Sequence, residues 1–142
     1  SRLESRGLLH CEIALPGWPH PLHCFNVHLG LLALWRHRQV DLLCQRIQTM
    51  VPPEAPMVIA GDLNDWTRRA GLRLRRLLGV TEVFEHTSGR PARSYPAALP
   101  LLNLDRIYIR GLTVRLAHAH HGRHSGRLSD HVALSALLVR AA

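Results

Sequence analysis

Met57-Val58-Ile59-Ala60-Gly61-Asp62-Leu63-Asn64 decides how this chain is read: a continuous apolar run that a glycine closes and that polar residues follow at once. Such a run, from Met57 to Ala60, fits a buried strand that delivers its C-terminal end to a loop carrying Asp62, Asn64 and Asp65. Beyond that loop, Thr67 to Leu78 combines leucines 72, 74, 77 and 78 with arginines 68, 69, 73, 75 and 76. This predicts a helix with its arginines toward solvent, ended by Gly79. Upstream, Val40, Leu43, Cys44, Ile47 and Val51 form one helical face within Leu34 to Val51, and Pro52 and Pro53 stop it. Further upstream, the runs Leu8 to Leu15 and Leu22 to Leu29 flank the turn from Gly17 to Pro21 and predict a hairpin.

Downstream, Glu82 to Phe84 reads as a short strand, and Gly89, Pro91 and Pro96 punctuate an irregular stretch from Thr87 to Leu99. Leu104 to Arg110 and Leu112 to His118 are β-rich runs meeting at Gly111. A polar loop from His120 to Ser129 leads to a closing strand, Val132 to Val139. No repeat or linker interrupts residues 1–142, which read as one unit, a mixed α/β chain with strands outnumbering two clear helices.

Composition narrows the classes. The 142 residues are 46% hydrophobic and 20% charged, a core-forming balance that excludes disordered and collagen-like chains. No apolar run approaches the roughly 18 residues of a membrane span. All 18 basic residues are arginine, and the net charge is +8. Forked guanidinium donors suit phosphate, although a lysine-free composition also follows from genomic nucleotide bias. Cys11, Cys24 and Cys44 are odd in number and never spaced CxxC, so they are expected to be reduced core residues. Ser1 in place of Met and the lack of a leader pattern lead to the expectation of a trimmed or excised cytoplasmic chain.

The polar residues that interrupt apolar segments are Asn26, His28, Asp62, Asn64, Asp105, Asp130 and His131, each at or near an expected strand end, where sites are built. There is no GxSxG elbow, P-loop or GxGxxG turn. Aspartates and histidines without a reactive cysteine describe hard-metal or proton-transfer chemistry.

Four stretches, Phe25-Asn26-Val27-His28-Leu29, Ile59-Ala60-Gly61-Asp62-Leu63-Asn64, Leu104-Asp105-Arg106-Ile107-Tyr108 and Ser129-Asp130-His131-Val132-Ala133-Leu134, are each weak alone. In this order they resemble the ordered motifs of the endonuclease/exonuclease/phosphatase superfamily of metal-dependent phosphoesterases. The resemblance implies the α+β class, with a four-layer α/β sandwich of two packed mixed β-sheets flanked by helices. The family carries an asparagine on its first strand and a glutamate metal ligand soon after. Neither has a counterpart in Glu4 or Glu12, the acids that precede His28. The chain is therefore expected to be the C-terminal part of such a domain, its N-terminal strands missing, weakly active or inactive alone and monomeric when complete.

The resemblance also implies roles. Asp62 would orient or deprotonate the attacking water, and Asn64 would hydrogen-bond the phosphate or that water. His131 would act as general base or as a charge-stabilising imidazolium, with Asp130 holding it or touching metal. His28 would donate to a phosphate oxygen or leaving group, with Asp105 fixing its tautomer. Mg²⁺ or Mn²⁺ would sit on Asp62 and Asp130, and Asn26, Arg93, Tyr95 and Arg106 would contact substrate. The implied activity is phosphodiester or phosphomonoester hydrolysis, with a nuclease ranked slightly above a phospholipid-headgroup or small-phosphodiester hydrolase. The reading from another class is a non-catalytic Arg-rich module that grips nucleic acid or anionic lipid.

Other clusters read more plainly. His118, His120, His121 and His124 invite zinc, but without cysteine and with Gly122 and Gly126 among them they read as a mobile loop near His131. Trp66 is the tryptophan placed for base stacking, Trp35 is expected in the core, and Trp18 in the hairpin turn.

Overall fold

A computed structural model of the chain describes residues 7–30, 32–65, 67–122 and 125–142. Trp66 and His124 lie outside them. The elements in chain order are β1 (Leu8–Ile13), β2 (Leu22–His28), α1 (Ala33–Met50), β3 (Met57–Asp62), α2 (Arg69–Leu78), β4 (Thr81–Glu82), α3 (Val83–Ser88), β5 (Asp105–Arg110), β6 (Leu112–His120), α4 (Ser125–Leu128) and β7 (Ala133–Arg140). No helix among the described residues is long and apolar enough to cross a membrane.

The hairpin forms as its alternation requires, β1 antiparallel to β2. Helix α1 then carries the chain across to β3, which lies parallel to β2, since a parallel neighbour needs a long crossover. β5 adds antiparallel to β3 and β4 to β5, giving a mixed five-stranded sheet ordered β1-β2-β3-β5-β4. β6 and β7 make a separate antiparallel pair. Among the described residues the larger sheet is mixed, as expected, while the second is a purely antiparallel pair.

Period-two alternation gives the large sheet two different faces. Phe25, Val27, Met57, Ile59 and Tyr108 are buried in one cluster with Val40, Leu43, Cys44 and Ile47 of α1 and Leu74 and Leu78 of α2. On the other face Ile109 joins Val83 and Phe84 of α3, and around them pack Val58, Ile107 and the inward residues Ala117, Leu134 and Ala136 of the second sheet. The described residues thus build three layers: helices, large sheet, small sheet. Leu116 and Leu137, partners across β6 and β7, are exposed on the outer side.

Several local expectations change. Only Thr81 and Glu82 pair as strand. From Val83 the chain turns into α3, because the Glu82 carboxylate accepts from Glu85 N–H at 2.7 Å and caps the helix. Capping outweighs the β-preference of Val83 and Phe84. The expected loop from His120 holds α4, and β6 runs through His120, so His118 and His120 are strand residues with rings edge-on at 4.6 Å. In α2 the buried positions are Ala70, Gly71, Leu74 and Leu78, while Leu72 and Leu77 are exposed. Arg73 and Arg75 are not simply solvated but form ion pairs with Asp41 and Glu85. Trp35 is 50% exposed with Arg38 over its ring, not core. All three cysteines are free, yet only Cys44 is buried and Cys11 is exposed.

Glu82 gives the fold a pH dependence. It is 1% exposed, and burial pushes its carboxyl up to about 7, against the backbone N–H groups of Ile107 and Phe84 and the Arg106 charge. Between its ordinary value of 4.5 and about 7 the folded state holds a proton that the unfolded state has lost. Stability therefore falls as pH rises through that window, by about 3 kcal/mol for this group. Urea denaturation at pH 5 and pH 8 is expected to show this decline, and Glu82→Gln is expected to flatten it; an equal slope in both proteins would refute the assignment.

Candidate active site

Strand register brings the site together. β2, β3 and β5 are adjacent, with His28 opposite Asp62 and Asp62 opposite Asp105, so the three form a row across one end of the sheet. Asp62 shares its face with Val58 and Ala60, and Asp105 with Ile107 and Ile109. The row thus sits at the rim of the space between the sheets. His131, two residues before β7, reaches the row from the small-sheet side.

Its imidazole is held at both ends: Nδ1 lies 2.7 Å from Asp105 Oδ2 and Nε2 lies 3.7 Å from Asp62 Oδ2. His28 Nε2 stands 3.6 Å from the same Asp62 oxygen. The Tyr95 ring flanks His131 at 4.9 Å between centroids. A loop hydroxyl fixes these parts. Ser94, fully buried, accepts from Asp105 N–H through Oγ at 3.2 Å and from Val132 N–H through its carbonyl at 2.7 Å. It ties the start of β5 to the segment after His131. Sequence reading passed over Ser94 as a site residue, although it stands beside Tyr95 in Arg93-Ser94-Tyr95-Pro96.

Asn64 braces the loop. Its backbone is left-handed, with φ 47°. Its N–H donates to Asp62 Oδ1 at 2.8 Å, and its buried side-chain amide donates to the Leu29 carbonyl at 2.7 Å, joining the ends of β2 and β3. Asp65, also buried, accepts from Ala70 and Gly71 N–H at the start of α2.

Charges in the cluster oppose and sustain one another. Burial raises the Asp62 pKa and the Asp105 charge adds to this, while the Asn64 N–H and the imidazoles of His131 and His28 pull it down. For His131 desolvation disfavours the imidazolium, yet the hydrogen bond and charge of Asp105, with Asp62 and Asp130, raise its pKa overall.

Four expectations need correction. Asp105 holds His131, not His28, because β3 lies between β2 and β5 and separates Asp105 from His28 by two strand spacings, roughly 10 Å. Asp130 is exposed, its carbonyl accepting from Ala97 N–H, and it lies outside the carboxylate–imidazole group in which it was expected as a metal ligand. Arg106 is 1% exposed on the opposite face from Asp105, its guanidinium on the carbonyls of Asn103 and Asp105, so it presents nothing to a substrate phosphate. The Asn64 side-chain amide is committed to Leu29. Asn26 is exposed on the face of His28, and Arg93 is exposed two residues before Tyr95.

Within this row, among the described residues, Asp62, Asp105 and His131 form a group suited to a cation, their ligand atoms lying within 4.8 Å of one another. Two carboxylates are the usual protein share of a Mg²⁺ site, the remaining positions going to water and substrate oxygens. The residues present fit such an ion.

A mixed sheet backed by helices, faced by a second sheet and carrying an aspartate–histidine cluster at the rim defines an α+β fold of the deoxyribonuclease-I-like class. The Endonuclease/Exonuclease/phosphatase family profile matches residues 5–131, and the chain belongs to that family. The uncharacterized protein YbhP of Escherichia coli K12 is 39% identical over 133 residues, which are 94% of this chain and 52% of YbhP. The chain spans about half the length of the curated relatives it matches. The human Nocturnin catalytic domain with bound sulfate superposes with a TM-score of 0.81 at 17% identity, over 97% of this chain and 54% of that one. D. rerio TDP2 complexed with single-strand DNA product gives 0.72 at 20% identity, over 94% and 62%. These structures share the fold.

Proposed function

We propose that this chain carries the aspartate–histidine site of a divalent-metal-dependent phosphoesterase that hydrolyses phosphodiesters with water. The observation that carries the reading is the His131 ring, pinned through Nδ1 by Asp105 while Nε2 faces Asp62. With Nδ1–H committed to a carboxylate, the neutral ring has a bare Nε2 that accepts a proton. Asp62 orients the attacking water. As the new P–O bond forms, the water proton passes to His131 Nε2. His28, on the other side of Asp62, gives a proton to the leaving oxygen as the old P–O bond breaks. Asp62 and Asp105 would hold Mg²⁺ or Mn²⁺, which supplies charge neutralisation at the phosphate. Tyr95 beside His131 and the exposed Asn26 and Arg93 are the proposed substrate contacts.

A polyanionic substrate suits the net charge of +8, and one structural neighbour holds a single-strand DNA product; both favour nucleic acid over a phospholipid headgroup. The ion pairs of Arg73 and Arg75 weaken the reading as a purely electrostatic binding module.

Hydrolysis of bis(p-nitrophenyl) phosphate with Mg²⁺ or Mn²⁺ tests the proposal, using this chain and any longer form of the protein that contains it. Turnover is expected to vanish with EDTA and to fall about 100-fold or more in Asp62→Ala. Turnover indifferent to both would overturn it. Single-stranded DNA against phospholipid vesicles then decides the substrate class.

A further inference from the structure

A second cluster of ligand-type side chains lies on the β1–β2 hairpin, away from the aspartates of the site. His10 and Glu12 of β1 share the helix-facing side of the sheet with His23 and Phe25 of β2, through the pairs His10 with Phe25 and Glu12 with His23. His10 Nε2 is 3.0 Å from His23 Nδ1, and His23 Nδ1 is 3.8 Å from Glu12 Oε1. All three ligand atoms lie within 4.8 Å of one another.

In a tetrahedral Zn²⁺ site, with ligands at about 2.0–2.2 Å, neighbouring donor atoms are about 3.3 Å apart. The measured separations of 3.0 and 3.8 Å bracket that value. The donors are also of the right kind, since two imidazoles and a carboxylate select Zn²⁺ and its neighbours over the hard ions suited to Asp62 and Asp105. The ring planes are set in advance. His10 stacks on Phe25 at 4.2 Å with planes 8° apart, and His23, 3% exposed, is anchored by its backbone N–H on the Pro56 carbonyl. Glu12 is exposed and leaves the approach open to solvent. Arg110 is a nearby positive charge that acts on His23, but its guanidinium is tied to the Leu78 carbonyl.

We propose that His10, Glu12 and His23 form a three-ligand Zn²⁺ site, its fourth position open to water, that clips the edge strand β1 to β2. Among the described residues β1 pairs on one side only, with β2, so a metal spanning the two strands would hold it where backbone pairing alone leaves it free to fray.

Zn²⁺ titration against a chromophoric chelator, Co²⁺ absorption and thermal unfolding with and without Zn²⁺ test this on the chain itself. One Zn²⁺ is expected to bind at this site, in addition to any held by Asp62, Asp105 and His131, to raise the melting temperature and, as Co²⁺, to give the visible bands of four-coordinate geometry. Glu12→Gln, a solvent-facing change, and His10→Gln each remove a direct ligand and are expected to weaken binding by about 100-fold or more, at least the loss that an outer-shell partner would cause. Asp62→Asn is expected to leave it unchanged. Absence of binding, equal affinity in Glu12→Gln and His10→Gln, or loss in Asp62→Asn instead would each overturn the proposal.

Discussion

Replacing His131 by alanine is expected to lower kcat/KM for phosphodiester hydrolysis by about 10²- to 10⁴-fold, with the fold intact. The size follows from the two contacts of the ring: one nitrogen fixed at 2.7 Å by Asp105, the other left facing Asp62 where the phosphate would bind. The ring is only partly buried, so its removal leaves a solvent-accessible gap rather than a sealed cavity. Asp105→Asn keeps a hydrogen-bond acceptor but removes the negative charge that favours proton uptake by the ring, and is expected to cost roughly 10²-fold in kcat. His28→Ala should lower kcat further on substrates with poor leaving groups than on nitrophenyl esters, whose leaving group needs no proton. Steady-state kinetics, with circular dichroism to confirm folding, check all three. Activity in His131→Ala within threefold of the parent would remove the proton-transfer role.

Gly61→Ala is expected to destabilise the chain by about 3–5 kcal/mol. Gly61 has φ 141°, a conformation L side chains rarely adopt, and an added Cβ would stand 2.0 Å from the Val27 carbonyl oxygen and 3.0 Å from the Val27 backbone carbon and nitrogen. Backbone atoms cannot rotate aside, so β2 and β3 would have to part at the pair next to His28 and Asp62. Gly79→Ala is the matched control. Its φ of 66° is also left-handed, yet nothing lies within 4 Å, and the cost should be about 1 kcal/mol. Urea midpoints compare the two. Equal losses would mean that the close parallel approach of β2 and β3 is absent in solution.

The elements that were readable from sequence are those set by nearby residues. The spacing of Val40, Leu43, Cys44 and Ile47 gave α1, Gly79 ended α2, and the alternation on either side of the Gly17 turn gave the hairpin. Where local signals conflicted, the reading failed. Val83 and Phe84 favour a strand, but the carboxylate of Glu82 reaches Glu85 N–H and starts a helix instead. Leu72 looks apolar enough to bury, but α1 packs on the turn carrying Ala70 and Leu74. The bracing role of Ser94 was not readable, because it bridges β5 and the residue after His131, two segments distant in sequence.

For the site, the sequence by itself determined the inventory: which aspartates, histidines and asparagines stand at strand ends, in an order shared with a phosphoesterase family. It left their partners undecided. Adjacency in the chain pairs Asp130 with His131 and Asp105 with Arg106, whereas the fold gives His131 to Asp105 and buries Arg106 on the far face. The same holds for the hairpin, where His10 and His23 become neighbours only through register. Period and capping act over a few residues and are written in the local sequence. Which acid meets which imidazole depends on strand order and on alternation across hydrogen-bonded neighbours, contacts that exist only once distant segments have been brought into one sheet.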